Sequence, residues 1–344
     1  MKVYIIGNSN EYALEASYRR AFQKMGLEVI IFDPVARVRP YIPYARLGSL
    51  FHRFVPVDSW QRKMNRELAL DIKENHPDLV LSFCNSPVLF STIAFVRSIV
   101  PTRFFLVWPD PLTNLQAHVS EAASLYDGVA TYCRASVPIF EQLGFRNVQW
   151  IPLAADVEIH CFDVVPSSFA YDLTFLGAWR PERERTLATI AQHFPTLRIA
   201  VRGTDWQRNR TSLLRAYIQH KPVRGRDYAA FLNSSRINLN VIDDTCFPAA
   251  NMRFFEVPIA SGLQLVSQCP EMEDNYQNNK HVYYYRGTDD LLGRIERIIT
   301  SQADANEIRR FGLEHTLKNH TYSQRAEQLI RMVLDAPKKR SIQC

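Results

Sequence analysis

The residues best suited to chemistry lie in four short stretches of this chain. The densest is Asn251-Met252-Arg253-Phe254-Phe255-Glu256-Val257-Pro258-Ile259-Ala260-Ser261-Gly262. Asn251 is a residue that caps helices, and a capped helix start presents free N–H groups and partial positive charge to an anion. Arg253 adds a fixed cation there. Glu256 falls on the second turn among apolar neighbours, where a carboxylate is costly unless donors reach it. Two adjacent ribose hydroxyls would supply those donors; a salt bridge to an arginine is the alternative. Pro258 limits the helix because it lacks a backbone donor, and Gly262 allows the turn that follows.

The second stretch, Gly177-Ala178-Trp179-Arg180-Pro181-Glu182-Arg183-Glu184-Arg185, follows a strand-like run. Arginines at a helix start suit a diphosphate, with Arg183 ahead of Arg180 and Arg185. The alternative is pairing with Glu182 and Glu184 on a solvated surface. The third is Trp108-Pro109-Asp110-Pro111. A carboxylate held between prolines at a strand end can take a proton or bind sugar hydroxyls, which makes Asp110 the catalytic candidate; capping the next turn is the plainer role. The fourth is Gly7-Asn8-Ser9-Asn10. Asn8 and Ser9, with Asn85 and Trp108, are candidates for the acceptor or sugar side, against a plain helix-capping turn. The loop lacks the spaced glycines of a dinucleotide fingerprint.

Strands and helices must alternate to position these loops. Apolar runs at Val3–Ile6, Glu28–Phe32, Leu79–Phe83, Phe104–Val107, Gly128–Thr131 and Val148–Ile151 read as buried parallel strands. Helical spacing occurs at Glu11–Met25, Trp60–Asn75, Pro87–Ile99 and Ala135–Leu143. Pro152–Tyr171 breaks the pattern and reads as a linker. Alternation resumes with strands at Asp172–Leu176, Leu197–Val201, Ile237–Val241, Leu263–Ser267 and Val282–Tyr285. Helices are expected at Pro181–His193, Ser212–His220, Arg226–Asn233, Asp289–Thr300, Ala303–Asn319 and Ser323–Leu334. The expected fold is α/β, with two doubly wound Rossmann-like halves facing across a cleft. In such sheets ligands sit beyond the carboxyl ends of the strands. The domain bounds read as 1–155 and 156–334, with the final helix packing back on the first domain and 335–344 as a tail.

Composition narrows the class. The length of 344 residues suits about two domains. With 41 Lys and Arg against 35 Asp and Glu, the +6 excess is too mild for a dedicated nucleic-acid binder. The six cysteines form no C-x-x-C pair, so zinc-ribbon and thioredoxin-like readings fail. The opening MKVYIIGNSN turns polar too soon for a signal peptide, and no apolar run is long enough for a membrane span. A cytoplasmic protein is expected. Arg37–Pro56 mixes four arginines with aromatics, which suits peripheral contact with the inner membrane face; the plainer reading is an insertion covering the first sheet.

The run NMRFFEVPIASG before a strand resembles the donor-site motif of GT-B glycosyltransferases, in particular the spore-maturation (CgeB-like) branch near retaining family 4. VQWIPLAAD at 148–156, DLTFLGAWRPER, YAAFLNSSRINLNV at 228–241, and His320-Thr321-Tyr322 with Arg325 match that class in order and spacing. The similarity spans most of residues 100–334. It implies transfer of a sugar from a nucleotide-sugar. Glu256 would then bind the donor ribose. Arg183, Asn251, Met252 and Arg253 would surround the diphosphate, and the turn with Val223 and Arg224 would lie against the nucleobase. Asp110 would sit where relatives place a catalytic-site residue. One departure stands out: retaining members often carry a second glutamate seven residues upstream, and here that position is Pro248.

The expected reaction uses no metal or cofactor. Arginine and helix N–H groups stabilise the leaving diphosphate. With retention, Asp110 positions the acceptor; with inversion, it is the general base. A nucleotide-sugar epimerase on the same fold and a non-enzymatic nucleotide-binding subunit are the competing classes.

Overall fold

The computed structural model describes residues 1–41, 58–162, 164 and 166–336. The chain divides into two compact units, Met1–Pro152 with Arg325–Cys344, and Leu153–Gln324.

Unit 1 is built on six parallel strands: β1 (Lys2–Ile6), β2 (Glu28–Phe32), β3 (Leu79–Phe83), β4 (Arg103–Trp108), β5 (Gly128–Thr131) and β6 (Val148–Trp150), in spatial order β2-β1-β3-β4-β5-β6. β3 is buried at every position because helices cover both of its faces. Those helices include Leu14–Lys24, Asp58–Asn75, Phe90–Ile99 and Val137–Gln142. The first stops at Gly26, which lies at φ +76. The helix expected over 135–143 opens as a 3-10 turn, Arg134–Ser136, and becomes α-helical only from Val137. Two short helices escape the sequence reading. Pro34–Val38 is capped by Asp33, whose Oδ1 accepts the Ala36 N–H at 3.0 Å, and Ala117–Glu121 is only five residues long. The last helix, Tyr322–Asp335, contributes Met332, whose carbonyl accepts Asn147 Nδ2 at 3.5 Å within unit 1. Of the Arg37–Pro56 stretch, residues 42–56 lie outside the described residues.

Unit 2 holds five parallel strands: β7 (Tyr171–Leu176), β8 (Ile199–Arg202), β9 (Ser235–Asn240), β10 (Gln264–Ser267) and β11 (Tyr283–Tyr285), ordered β11-β10-β9-β7-β8. Each expected strand forms, with ends moved by a residue or two. The helix expected over 212–220 does not form. Ser212–Ala216 is 3-10, and the chain then runs extended beside β8, where Val201 donates to Tyr217 O and accepts from Gln219 N. Pairing with a free strand edge outweighs the helical spacing of a short apolar run.

Amides thread the core of unit 2. Asn238 accepts from Thr174 Oγ1 and donates to Leu232 O, each at 2.9 Å. Asn240 donates to Gln264 Oε1 and exchanges bonds with the Asn251 amide at 2.8 and 3.1 Å. Arg309, only 2% exposed, donates to the carbonyls of Ser235, Arg236 and Ser261 and stacks over Phe169. Burial pushes its guanidinium down to about 9.

Candidate functional site

The loops at the carboxyl ends of β7, β8 and β9 and the helix Arg253–Ile259 gather the donor-type residues of unit 2. Glu256 is 3% exposed. Its Oε2 accepts from Arg253 Nη1 at 2.7 Å and from the Tyr228 hydroxyl. Burial alone would raise this carboxyl. Arg253, the nearby His160 and Tyr228 hold it below the usual carboxylate range, so it stays ionised. Oε1 has no donor among the described residues. Arg253 also donates through Nε to Leu176 O at 2.9 Å, which ties the helix to the end of β7. The sequence left ribose binding and an arginine salt bridge as alternatives for Glu256. The structure contains the salt bridge and still leaves one carboxylate oxygen open.

Asn251 caps the helix start: its Oδ1 accepts Phe254 N–H at 3.1 Å. Its amide is otherwise engaged with Asn240, so the side chain serves the core rather than the diphosphate expected of it. The backbone N–H groups of Met252 and Arg253 have no acceptor among the described residues. Val223 packs on the cluster of Tyr228, Leu176 and Val257, and the exposed Arg224 precedes helix Gly225–Asn233.

Arg183 departs from expectation. It is 8% exposed and donates to Ala178 O, Val241 O and Asp243 Oδ2, the last at 2.7 Å. The predicted phosphate cation is thus a buried partner of a residue sixty positions away. Glu184 is also inward: it accepts from Trp179 Nε1, Thr211 Oγ1 and the N–H groups of Arg210 and Thr211. Neither takes part in the solvated surface pairing that stood as the alternative to phosphate binding. Asp243 accepts from Thr245 as well, and these donors offset burial to hold its carboxyl low.

Unit 1 gathers Asn8, Ser9, Asn85 and Asp110 in the loops after β1, β3 and β4. Asp110 Oδ2 accepts from Asn114 Nδ2 at 2.7 Å, so it does organise the following turn, and lies 3.9 Å from Cys84 Sγ. Asn85 bridges loops by donating to Asn114 O and accepting from Gln116 N. Ser9 donates through N and Oγ to Asp33, and Asn8 N donates to Glu15 Oε1. Trp108 is a correction: it is fully buried, edge-on to Phe140, and so serves the core rather than a ligand. Sequence reasoning missed Glu15 and Cys84. Gly7 leaves the space that Glu15 fills, since a Cβ there would meet Glu15 Oε1 at 2.4 Å. Cys84 sits at φ +50, and burial with Asp110 pushes its thiol up to about 11.

Behind the Arg253–Ile259 helix lies an aromatic cluster in which Tyr276 and His320 pack on Phe255, and His281 stacks on His315 at 4.1 Å. Burial, then His315 and Lys280, push His281 down to about 4. Its unfolded value is about 6.5, so the unfolded chain binds the extra proton between pH 6.5 and 4. The stability His281 contributes is present above pH 6.5 and is lost as pH falls toward 4, by up to ~3 kcal/mol. Urea titrations at several pH values should show this decline, and His281→Asn should flatten it.

The two parallel α/β sheets define the GT-B architecture. A glycosyltransferase from Rickettsia africae superposes with TM-score 0.69 at 10% identity, covering 98% of this chain and 99% of that one. Sucrose-phosphate synthase from Thermosynechococcus elongatus gives 0.67 at 12%, covering 98% and 100%. The Anabaena protein HepE in complex with UDP and glucose gives 0.64 at 11%, covering 97% and 99%. Residues 180–331 match the family described as glycosyl transferase-like. No curated protein matches the sequence. No described helix is long and apolar enough to cross a membrane.

Proposed function

We propose that the protein is a glycosyltransferase that moves a sugar from a nucleotide diphosphate sugar to an acceptor hydroxyl, with retention and without a metal ion. The observation that carries this reading is Glu256: a buried, ionised carboxylate with Oε1 open, inside the glycosyl transferase-like match. A ribose diol is the donor pair such an oxygen accommodates. Arg253 stands beside it as the cation for the departing diphosphate, and the N–H groups of Met252 and Arg253 add to that charge. Arg183 then acts one layer back, holding Asp243. Val223 and Arg224 border the base. Asp110, with Asn8, Ser9 and Asn85, belongs to the acceptor side, where its carboxylate positions the attacking hydroxyl. Retention and the spore-maturation subclass rest on the motif order. With Pro248 at the second glutamate's place, the sugar's hydroxyls must find other partners.

The HepE structures hold UDP and UDP-glucose, which makes uridine diphosphate the first ligand to test. A thermal-shift panel of UDP, GDP, dTDP and CMP should single out one nucleotide. At a hundred times its Kd it adds about 2.7 kcal/mol to stability. Silence from the whole panel would remove the donor site.

A further inference from the structure

The positive charge of the chain is concentrated at one edge of unit 2, and the proposed reaction uses only Arg224 of it. β8 is the end strand of its sheet. Beyond it the chain makes an excursion over residues 205–227 that wraps this edge. Leu214 and Tyr217 pack with Val201 on one face of the sheet, and Val223 packs with Ala200 on the other. The backbone of the excursion is fixed. Glu184 accepts the N–H groups of Arg210 and Thr211, and Gln219 is held by Val201 and by Arg202, whose Nε donates to Gln219 Oε1 at 2.7 Å. Arg208, Arg210, Arg215, Lys221, Arg224 and Arg226 are all exposed. They stand against two carboxylates in the same stretch, Asp205 and Asp227, a net of +4 where the whole chain carries +6. Arg208 meets Asp205 at 3.7 Å in an exposed pair; the other five cations form no ion pair among the described residues. Neighbouring elements do not cancel this excess. At the start of helix Pro181–His193, Arg180 and Arg185 balance Glu182 and Glu184, and Arg183 is paired with Asp243. At the start of β8, Arg198 and Arg236 share Asp172.

We propose that this basic rim docks the protein on an anionic lipid bilayer, with the charged heads of Arg210, Arg215 and Lys221 meeting the headgroup phosphates. The composition of the rim selects this occupant. A protein partner needs an apolar centre, and Leu213, 43% exposed, is the only large apolar side chain that the rim exposes. Single-stranded nucleic acid needs rings on which its bases stack, whereas Trp206 is 2% exposed and Tyr217 packs on the core. A duplex needs an element laid in a groove, and the rim has two 3-10 turns, an extended run and only the first turn of a helix. Adhesion to an anionic bilayer needs none of these, because each Lys or Arg near the surface adds its own share. Five of the six cations are arginines, whose planar fork matches phosphate oxygens. Leu213, between Arg210 and Arg215 in sequence, is placed to dip among the headgroups.

Flotation of the full-length protein with vesicles of phosphatidylcholine, alone or mixed with phosphatidylglycerol, tests it. Binding should appear only with the anionic vesicles and be lost in high salt. At about fivefold per cation, Arg210→Gln, Arg215→Gln and Lys221→Gln together should lower partitioning by about 100-fold. Arg310→Gln, Lys318→Gln and Arg331→Gln together remove the same charge from exposed positions on other helices and should leave most of the binding in place. All six side chains are exposed, so thermal midpoints and any nucleotide-induced shift should match the wild type in both variants. Absence of flotation, equal binding to neutral vesicles, wild-type binding by the first variant, or an equal loss in the second overturns the proposal. So does retention of a single-stranded oligonucleotide that the first variant abolishes, in the absence of vesicle binding.

Discussion

Glu256→Gln is expected to weaken nucleotide binding by about 10- to 100-fold, the loss of charge-assisted bonds to two hydroxyls. Two features place the loss at the ribose. The nucleoside and its diphosphate should suffer alike, and a 2′-deoxy nucleotide should suffer less, because it lacks one hydroxyl. Glu256→Ala should behave differently from Glu256→Gln in stability. Glutamine loses the charge but its amide oxygen still accepts from Tyr228 and Arg253, whereas alanine leaves both donors without an acceptor, a loss of up to about 3–5 kcal/mol. Chemical denaturation beside calorimetric titration separates the two effects. A Glu256→Gln protein that binds nucleotide normally would sink the ribose assignment.

Gly203→Ala should be among the most damaging single-methyl changes in the chain. Gly203 lies at φ +146, and a Cβ built there falls 1.8 Å from Gly177 O. The obstacle is backbone, and it is itself fixed: Gly177 N donates to Arg202 O at 2.9 Å and Gly177 O accepts Trp206 Nε1 at 2.8 Å. The loops after β7 and β8 must therefore separate or unfold. The expected loss is above about 4 kcal/mol, a large part of the ~5–15 kcal/mol that a folded domain holds. Poor soluble yield or a sharply lowered urea midpoint would show it. A normal midpoint would mean that these loops are not packed as described.

Much of the fold was legible in the sequence because parallel strands buried on both faces announce themselves as continuous apolar runs; LVLSF and GVAT keep the predicted bounds unchanged. Helices with long amphipathic spacing were equally readable, and Pro181–His193 has the predicted ends. The stretch 212–220 was not, because its outcome depends on β8 offering an edge. Within the site, local signals held: Asn251 capping its helix and Glu256 beside Arg253 are contacts three or so residues apart. The distant ones were invisible. Nothing near Arg183 foretells Asp243, and nothing near Gly7 foretells that Glu15 fills its space. Trp108 looked like a ligand contact because it adjoins Asp110, but alternation along β4 turns it into the core.

The amide chain through unit 2 has a further consequence, for how the sheet finds its alignment. β9 and β10 are short, and apart from their amides one aliphatic pair looks much like the next. Slipping either strand by one residue would turn each side chain to the opposite face. Asn238 and Asn240 share one face of β9, and their partners Thr174, Gln264 and Asn251 arrive from three separate segments. Any misalignment therefore strands several amides in a dry interior at about 1–3 kcal/mol each. The network acts as a key cut for one lock position. Alignment and the seating of the Asn251 helix start become a single event, so a wrongly zipped sheet could not also present a finished binding loop.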